Sequence, residues 1–378
     1  MSNSKQVLLT MSLCLAGISA WAQQAPGTWR FAVSGDSRNC GDVVMPTIAK
    51  SVLEHHAEFY WHLGDFRAMY GVDEDMSKRY DSSLPVDEYW RIAWGDFLAN
   101  QVAPFGLLPV HLGIGNHEVA GNKVPADFTA EFAYWLDTPD LRAQRLHDDP
   151  KDGAVKAYFH WKQRHIDFIY LDNSGNDGFD DAQLTWFEKV LEHDKNDKDV
   201  LTVVVGMHRA LPNSLACGHS MNGDPPNPSE KSLKSGRQAY SDLAKWKKDS
   251  GKFVYVLASH SHFFMEDLFD TAYWKNPEHG GQVLPGWIVG TAGARRYSLP
   301  DLPPDVLKKA NAQTDVWGYL LATVQENGAI TFDFQKLGNK QVPEEVRTRY
   351  GDDFVDKFCF AGNHDDSTHT PAQSCQEK

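Results

Sequence analysis

Short apolar runs, each closed by a loop and followed by an amphipathic stretch, organise most of this chain. Trp29 to Ser34 and Phe59 to Leu63 read as strands, with a helix from about Val43 to His56 between them, the start of a β-α-β unit. Asp87 to Val102 reads as a helix and Leu107 to Ile114 as the next strand. Ala157 to His160 and Asp167 to Leu171 form a strand pair around Gln163-Arg164-His165, and Asp181 to His193 is an amphipathic helix with Leu184, Phe187 and Leu191 on one face. Val200 to Val205, Phe253 to Ala258 and Trp287 to Gly290 read as further strands, with a helix over Gln238 to Lys248. Trp317 to Val324 and Ala329 to Phe334 form a hairpin around Asn327-Gly328. Alternating strands and helices predict the α/β class.

Two stretches depart from this alternation. Residues 118–154 are rich in charge and in aromatics (Phe128, Phe132, Tyr134, Trp135) and read as an insertion that could overhang the strand ends. Residues 213–235 read as a long polar loop with Pro and Gly throughout, a kind of segment that is often functional. The main domain is expected over residues 23–340, with a C-terminal extension over 341–378.

The first residues change the picture of where the chain works. Lys5, the apolar run Val7 to Ile18 and Ala20-Trp21-Ala22 fit a signal peptide over residues 1–22, which predicts a secreted or periplasmic protein cleaved near Ala22. Cys14 follows Leu13 inside the apolar run, which favours simple secretion over a lipid anchor. No other segment is long and apolar enough to predict a transmembrane helix. Cleavage removes Lys5 and takes the formal net charge from -14 to -15. So acidic a chain argues against non-specific nucleic-acid or anionic-lipid binding; an anionic substrate must be drawn by local positive charge. The four remaining cysteines, Cys40, Cys217, Cys359 and Cys375, allow three pairings. The preferred one is Cys359–Cys375, pinning the extension, with Cys40–Cys217.

The chemistry lies at the ends of the strands. Gly35-Asp36-Ser37-Arg38, Leu63-Gly64-Asp65, Gly115-Asn116-His117-Glu118, Met207-His208 and His260-Ser261-His262 each close a short apolar run. Oxygen and nitrogen donors gathered on one sheet edge suit hard or borderline divalent metals. His62 and His111 read as packed histidines, and His55 and His56 as helix-end residues. His219 reads as a surface-loop residue, and Arg209, Arg295 and Arg296 as solvated or salt-bridged. The insertion aromatics read as core, and Gly290 to Gly293 as a place where backbone passes close to the site.

The order of these five elements resembles the calcineurin-like metallophosphoesterase superfamily, including the purple acid phosphatases, from Phe31 to about Leu337. The stretch Gln183-Leu184-Thr185-Trp186-Phe187 adds to the resemblance. It implies a four-layer α/β/β/α sandwich with insertions, and two metal ions drawn from Mn, Zn, Fe or Mg. Asp65 would bridge them, Asp36 and His262 would hold one, and Asn116, His208 and His260 the other. His117 would face a small phosphorylated substrate and assist the leaving group, while a metal-activated hydroxide attacks phosphorus. Two positions depart from the family: Arg38 stands where the first motif usually carries His, and Ala68 stands where purple acid phosphatases carry Tyr, with Tyr70 two residues on. Arg38 cannot ligate a metal. It is expected to clamp a phosphate oxygen, leaving the first metal weakly held. The resulting expectation is an exported phosphoesterase, a phosphomonoesterase over a phosphodiesterase. A non-catalytic metal- or anion-binding protein on a degenerate scaffold is the alternative from another class.

Overall fold

Period-two patterning along the strands sorts the apolar side chains onto the faces of two sheets. The computed structural model describes residues 27–80, 83–215, 218–222, 229–298 and 312–365; the signal-peptide reading, Cys217 and Cys375 lie outside them. The first sheet contains β1 (Trp29–Ser34), β2 (Tyr60–His62), β3 (Val110–Leu112), β11 (Trp317–Val324) and β12 (Ile330–Leu337). The second contains β4 (Phe159–Gln163), β5 (Ile166–Leu171), β6 (Thr202–Met207), β7 (Phe253–Ala258), β8 (Phe264–Glu266), β9 (Gly286–Val289) and β10 (Ala312–Gln313). Their orders are β12-β11-β1-β2-β3 and β10-β8-β9-β7-β6-β5-β4. β1, β2 and β3 run parallel, as do β5, β6, β7 and β9, so both sheets present carboxyl ends of parallel strands.

The α-helices among the described residues are α1 (Gly41–Glu54), α2 (Glu74–Arg79), α3 (Val86–Phe97), α4 (Pro125–Glu131), α5 (Ala133–Leu136), α6 (Pro139–Asp148), α7 (Asp181–Asn196), α8 (Glu230–Ser250), α9 (Ala272–Lys275) and α10 (Glu344–Tyr350). Phe31, Val33, Trp61 and Leu320 of the first sheet meet Phe168, Tyr170, Val204 and Leu257 of the second in the central core. Phe168 stands edge-on to both Phe31 and Phe59, each at 5.1 Å between ring centroids. The alternate residues Ile169, Leu171, Val203 and Val205 face outward under Leu184 and Phe187 of α7 and Leu243 and Trp246 of α8. Ala32, Tyr60, Tyr319 and Leu321 face the other way, under Val44, Ile48 and Val52 of α1 and Val346 and Tyr350 of α10. The result is the expected mixed α/β architecture, two packed sheets between helical layers.

The structure differs from the sequence reading in several places. Leu107 is fully exposed beside the left-handed turn at Gly106, so the third strand is only Val110–Leu112. The helix read to Val102 is α-helical only to Phe97 and continues as a wide π-turn over Leu98–Val102. α8 begins at Glu230, inside the stretch read as loop, because Ser229 caps it by accepting from the Ser232 amide. Of the insertion aromatics read as core, Tyr134 is exposed, whereas Phe128 and Phe132 are buried in the central core as expected. No described helix is long and apolar enough to cross a membrane.

The cysteine pairing is corrected: Cys40 is bonded to Cys359, not to Cys217, and Cys359 is therefore not bonded to Cys375. α10 lies on α1, where Tyr350 donates to Asp42 at 2.5 Å, and the π-helical segment Asp353–Gly362 carries Cys359 to Cys40, the residue just before α1. The Cα atoms stand 5.9 Å apart, within the range a disulfide spans. The extension is thus pinned to the loop that carries Arg38.

A buried charge cluster ties the insertion to the second sheet. His160 on β4 meets Asp167 at 2.7 Å through Nδ1 and Asp148 at 2.6 Å through Nε2. Burial opposes its charge, but Asp167 and Asp148 outweigh burial and raise its pKa to about 10. A histidine whose folded pKa lies above its unfolded value, about 6.5, stabilises fully below that value and loses the contribution as pH rises through the folded pKa. His160→Gln is therefore expected to cost on the order of 3 kcal/mol at pH 6 and clearly less at pH 10. Urea unfolding of both proteins at the two pH values measures this; an equal cost at both would contradict it.

Candidate metal centre

The loops leaving β1, β2, β3, β6 and β7 converge where the carboxyl ends of the two sheets meet. Backbone bonds interlock them: the Asp36 amide donates to Gly64 O and the Ser37 amide to Asp65 O, each at 2.9 Å, and the Ser259 amide donates to His208 O at 2.9 Å. Asp36, Asp65 and His260 all adopt left-handed backbone, with φ of 63°, 62° and 67°. Non-glycine residues occupy that region at a cost that the surrounding structure must offset. Gly115 has no alternative residue, because a Cβ there would lie against Asp65 Oδ1 and against the Asp65 amide. Gly290 likewise lets the chain pass Asp36 Oδ2, as the sequence reading expected.

Four imidazoles are aimed by backbone carbonyls. His208 Nδ1 lies 3.0 Å from Leu63 O, His260 Nε2 3.0 Å from Gly218 O, and His262 Nδ1 2.6 Å from Arg295 O. His117 Nδ1 is bonded to Ala68 O. A carbonyl only accepts, so each of these nitrogens carries a proton, and in the neutral imidazole the opposite nitrogen offers a lone pair. Those lone pairs point at one another and at oxygen. His208 Nε2 is 3.2 Å from His260 Nδ1, 3.0 Å from Asn116 Oδ1 and 3.2 Å from Asp65 Oδ1. His262 Nε2 is 3.3 Å from Asp36 Oδ1, and His117 Nε2 is 3.5 Å from Asp65 Oδ2.

Two carboxylate oxygens, Asp36 Oδ1 and Asp65 Oδ2, are buried and accept no hydrogen bond. Buried, unmatched electron pairs from carboxylate, amide oxygen and imidazole are the donor set of a borderline divalent cation. The residues fit such an ion best at Asp65, Asn116, His208 and His260; three of these, Asp65, His208 and His260, offer donor atoms all within 4.8 Å of one another. The second group of that kind among the described residues, His193, Asp194 and Asp197, is already met by Lys162, 2.9 Å from both carboxylates.

The electrostatics agree with a site built for positive charge. Burial would raise Asp65, but His117, His208 and Arg38 hold it well below the usual carboxylate range. Burial disfavours charge on His208, yet Asp65 and then Asp36 outweigh it and raise its pKa to about 8. Burial, with His208 and Arg209 behind it, lowers His260 well below the ordinary value, and burial with Arg38 lowers His262.

All eight residues singled out from sequence, Asp36, Arg38, Asp65, Asn116, His117, His208, His260 and His262, meet in this one region. Arg38 is itself buried, with Nη1 donating to the Tyr70 hydroxyl at 2.8 Å and Nη2 2.9 Å from His262 Nε2. Behind it, Asp73 accepts from the Asn39 amide at 2.8 Å, the Ala68 amide at 3.1 Å and the Tyr89 hydroxyl at 2.6 Å, which braces the Arg38 and Asp65 loops together. Three residues are new to the site. The Tyr297 ring stacks on His262 at 4.1 Å, and the half-buried His219 reaches from its loop to Ser261 Oγ at 3.0 Å. Glu118 accepts from the amides of Asp65, Phe66 and Gly115 at 2.8, 2.8 and 2.7 Å. His62 is a packed histidine against Phe66 and Phe97, and His111 stacks on Trp161. Arg296 holds backbone carbonyls of Asn363, Cys359 and Phe360, away from the donors.

No protein-family model matches the sequence, and no curated protein matches it. Among solved structures, the fold is similar to that of a purple acid phosphatase isolated from yellow lupin (Lupinus luteus) seeds, with a TM-score of 0.51 and 17% identity over 82% of this chain and 51% of that one. It is also similar to PhoD, with a TM-score of 0.48 and 16% identity over 83% of this chain and 73% of that one. This chain therefore spans about half the length of the lupin enzyme. At this identity the likeness establishes the fold alone: a mixed α/β, two-sheet architecture shared with the lupin structure.

Glu118 is the joint between the β2 and β3 loops, and a glutamine there must turn an N–H toward one of the amides it now accepts. Glu118→Gln is expected to lower stability by about 1–3 kcal/mol and to weaken metal uptake. Urea unfolding with a parallel metal titration checks both, and wild-type values in each would contradict the assignment.

Proposed function

We propose that the protein is an exported, metal-dependent phosphoesterase that hydrolyses small phosphate esters, monoesters in preference to diesters. The observation that carries this reading is the convergence of His208, His260, Asn116 and Asp65, with each imidazole proton turned away to a backbone carbonyl. The signal-peptide pattern and the Cys40–Cys359 bond support export. An ion bound there would supply Lewis-acid chemistry, drawing charge from a phosphoryl oxygen and lowering the pKa of water.

The remaining roles fall to this chain's own groups. Asp65, Asn116, His208 and His260 would hold the ion. Arg38 would attract the anionic substrate, which the acidic protein as a whole would repel. His117 keeps Nδ1 on Ala68 O, so proton transfer with the leaving oxygen falls to Nε2. Burial lowers its pKa to about 4 against the pull of Asp65, so the imidazole is neutral at pH 7 and would take from water the proton that Nε2 then gives the leaving oxygen.

Hydrolysis of a chromogenic phosphomonoester and its diester, with Mn, Zn, Fe or Mg added, tests the reading. Metal-dependent turnover is expected, faster on the monoester. Asn116→Ala should lose it with metal uptake, and His117→Asn should lower kcat by about 10²–10⁴-fold with metal content unchanged. Metal uptake without turnover of either ester would contradict the enzyme reading and favour a binding protein.

A further inference from the structure

The Arg38 guanidinium occupies the part of the centre that Asp36 and His262 face. Nη2 lies 2.9 Å from the His262 Nε2 lone pair, and Nε lies 3.8 Å from Asp65 Oδ2. The side chain is buried, and the Tyr70 hydroxyl fixes it at 2.8 Å. His262 cannot offer the same lone pair to a metal ion and to Arg38. Asp36 and Asp65 are alike in each giving one oxygen to a backbone amide, Asp36 Oδ2 to His260 at 2.6 Å and Asp65 Oδ1 to His117 at 2.9 Å, so the two halves of the centre differ in His262, whose lone pair Arg38 takes. The residues therefore fit one ion at Asp65, Asn116, His208 and His260, and do not fit a second at Asp36 and His262.

Charge leads to the same result. Arginine stays protonated at any working pH. Two divalent ions beside it would set five positive charges against the carboxylates of Asp36 and Asp65 in a buried space. One divalent ion with the guanidinium sets three against two, a far smaller imbalance.

We propose that Arg38 is the second cation of this centre, so that the chain binds a single metal ion and the guanidinium takes the place of the other. This rests on the metal-centre reading above. The single ion and the guanidinium would grip the phosphoryl oxygens from two sides, one as a Lewis acid and one as a planar donor. Unlike an ion, the guanidinium cannot be lost to a chelator.

The test is metal content and electron paramagnetic resonance of the chelator-stripped mature chain titrated with Mn(II). One Mn per chain is expected, with the signal of an isolated ion. His262→Ala should still bind one, because His262 faces Arg38 and not the ion, whereas His208→Ala should bind less than one. Arg38→His should bind a second Mn and give a spin-coupled signal. Two Mn per wild-type chain would overturn the inference and leave the metal-centre reading standing; none would overturn both. Loss of the ion in folded His262→Ala, or a single Mn in folded Arg38→His, would also overturn the inference. Circular dichroism establishes folding, and should Arg38→His fail to fold, the wild-type count and His262→Ala decide.

Discussion

Two carboxylates, Asp36 and Asp65, are buried where the sheets meet, each with an oxygen that no hydrogen bond reaches. Burying a carboxylate costs several kcal/mol unless positive charge compensates it. Much of the surrounding structure answers that constraint. The loops are held in left-handed turns at Asp36 and Asp65 so that both acids face inward. Imidazoles bonded to backbone carbonyls through one nitrogen turn the other toward the acids, as a lone pair for a cation or, on His208, whose pKa Asp65 and Asp36 raise to about 8, as a proton that answers Asp65. The guanidinium of Arg38 meets part of the demand directly, and a cation among the remaining donors meets the rest.

Such a site needs a rigid frame, and the three cores provide one. The parallel strands β1, β2 and β3 end in register, which sets the Asp36, Asp65 and Asn116 loops side by side. The strands β6 and β7 do the same for His208 and His260 from the other sheet. Packing of Phe31, Phe59 and Phe168 between the sheets fixes the distance across which these groups meet. Glu118 then joins two loops of the first sheet through three amides, and the Cys40–Cys359 bond ties the C-terminal segment to the Arg38 loop.

Much of this was legible in the chain. The strand pattern and the donors at strand ends identified the α/β class and the residues that meet, because both depend on local order and on parallel strands ending at one edge. Arg38 was visible as a departure, but its contact with His262, 224 positions away, was not. Glu118 was part of a recognised tetrad, yet nothing local shows that its carboxylate collects amides from another loop. Tyr297 follows no motif, and His219 looked like any loop histidine. The cysteine pairing failed for the same reason: proximity of Cys40 and Cys359 depends on α10 docking onto α1, a tertiary event that spacing does not encode. Leu107 and the start of α8 show the limits of pattern reading. An apolar residue can sit exposed at a turn, and a polar stretch capped by Ser229 can be helical.

His208 and His260, with Asn116 and Asp65, turn their free donor atoms toward one place, where a metal ion would sit. Anomalous diffraction from a crystal of the mature protein grown with Mn or Zn tests it most directly. An anomalous peak is expected, bounded by His208 Nε2, His260 Nδ1, Asn116 Oδ1 and Asp65, with the opposite imidazole nitrogens still on the carbonyls of Leu63 and Gly218. No peak there at saturating metal, or imidazoles flipped so that their protonated nitrogens face the centre, would contradict it.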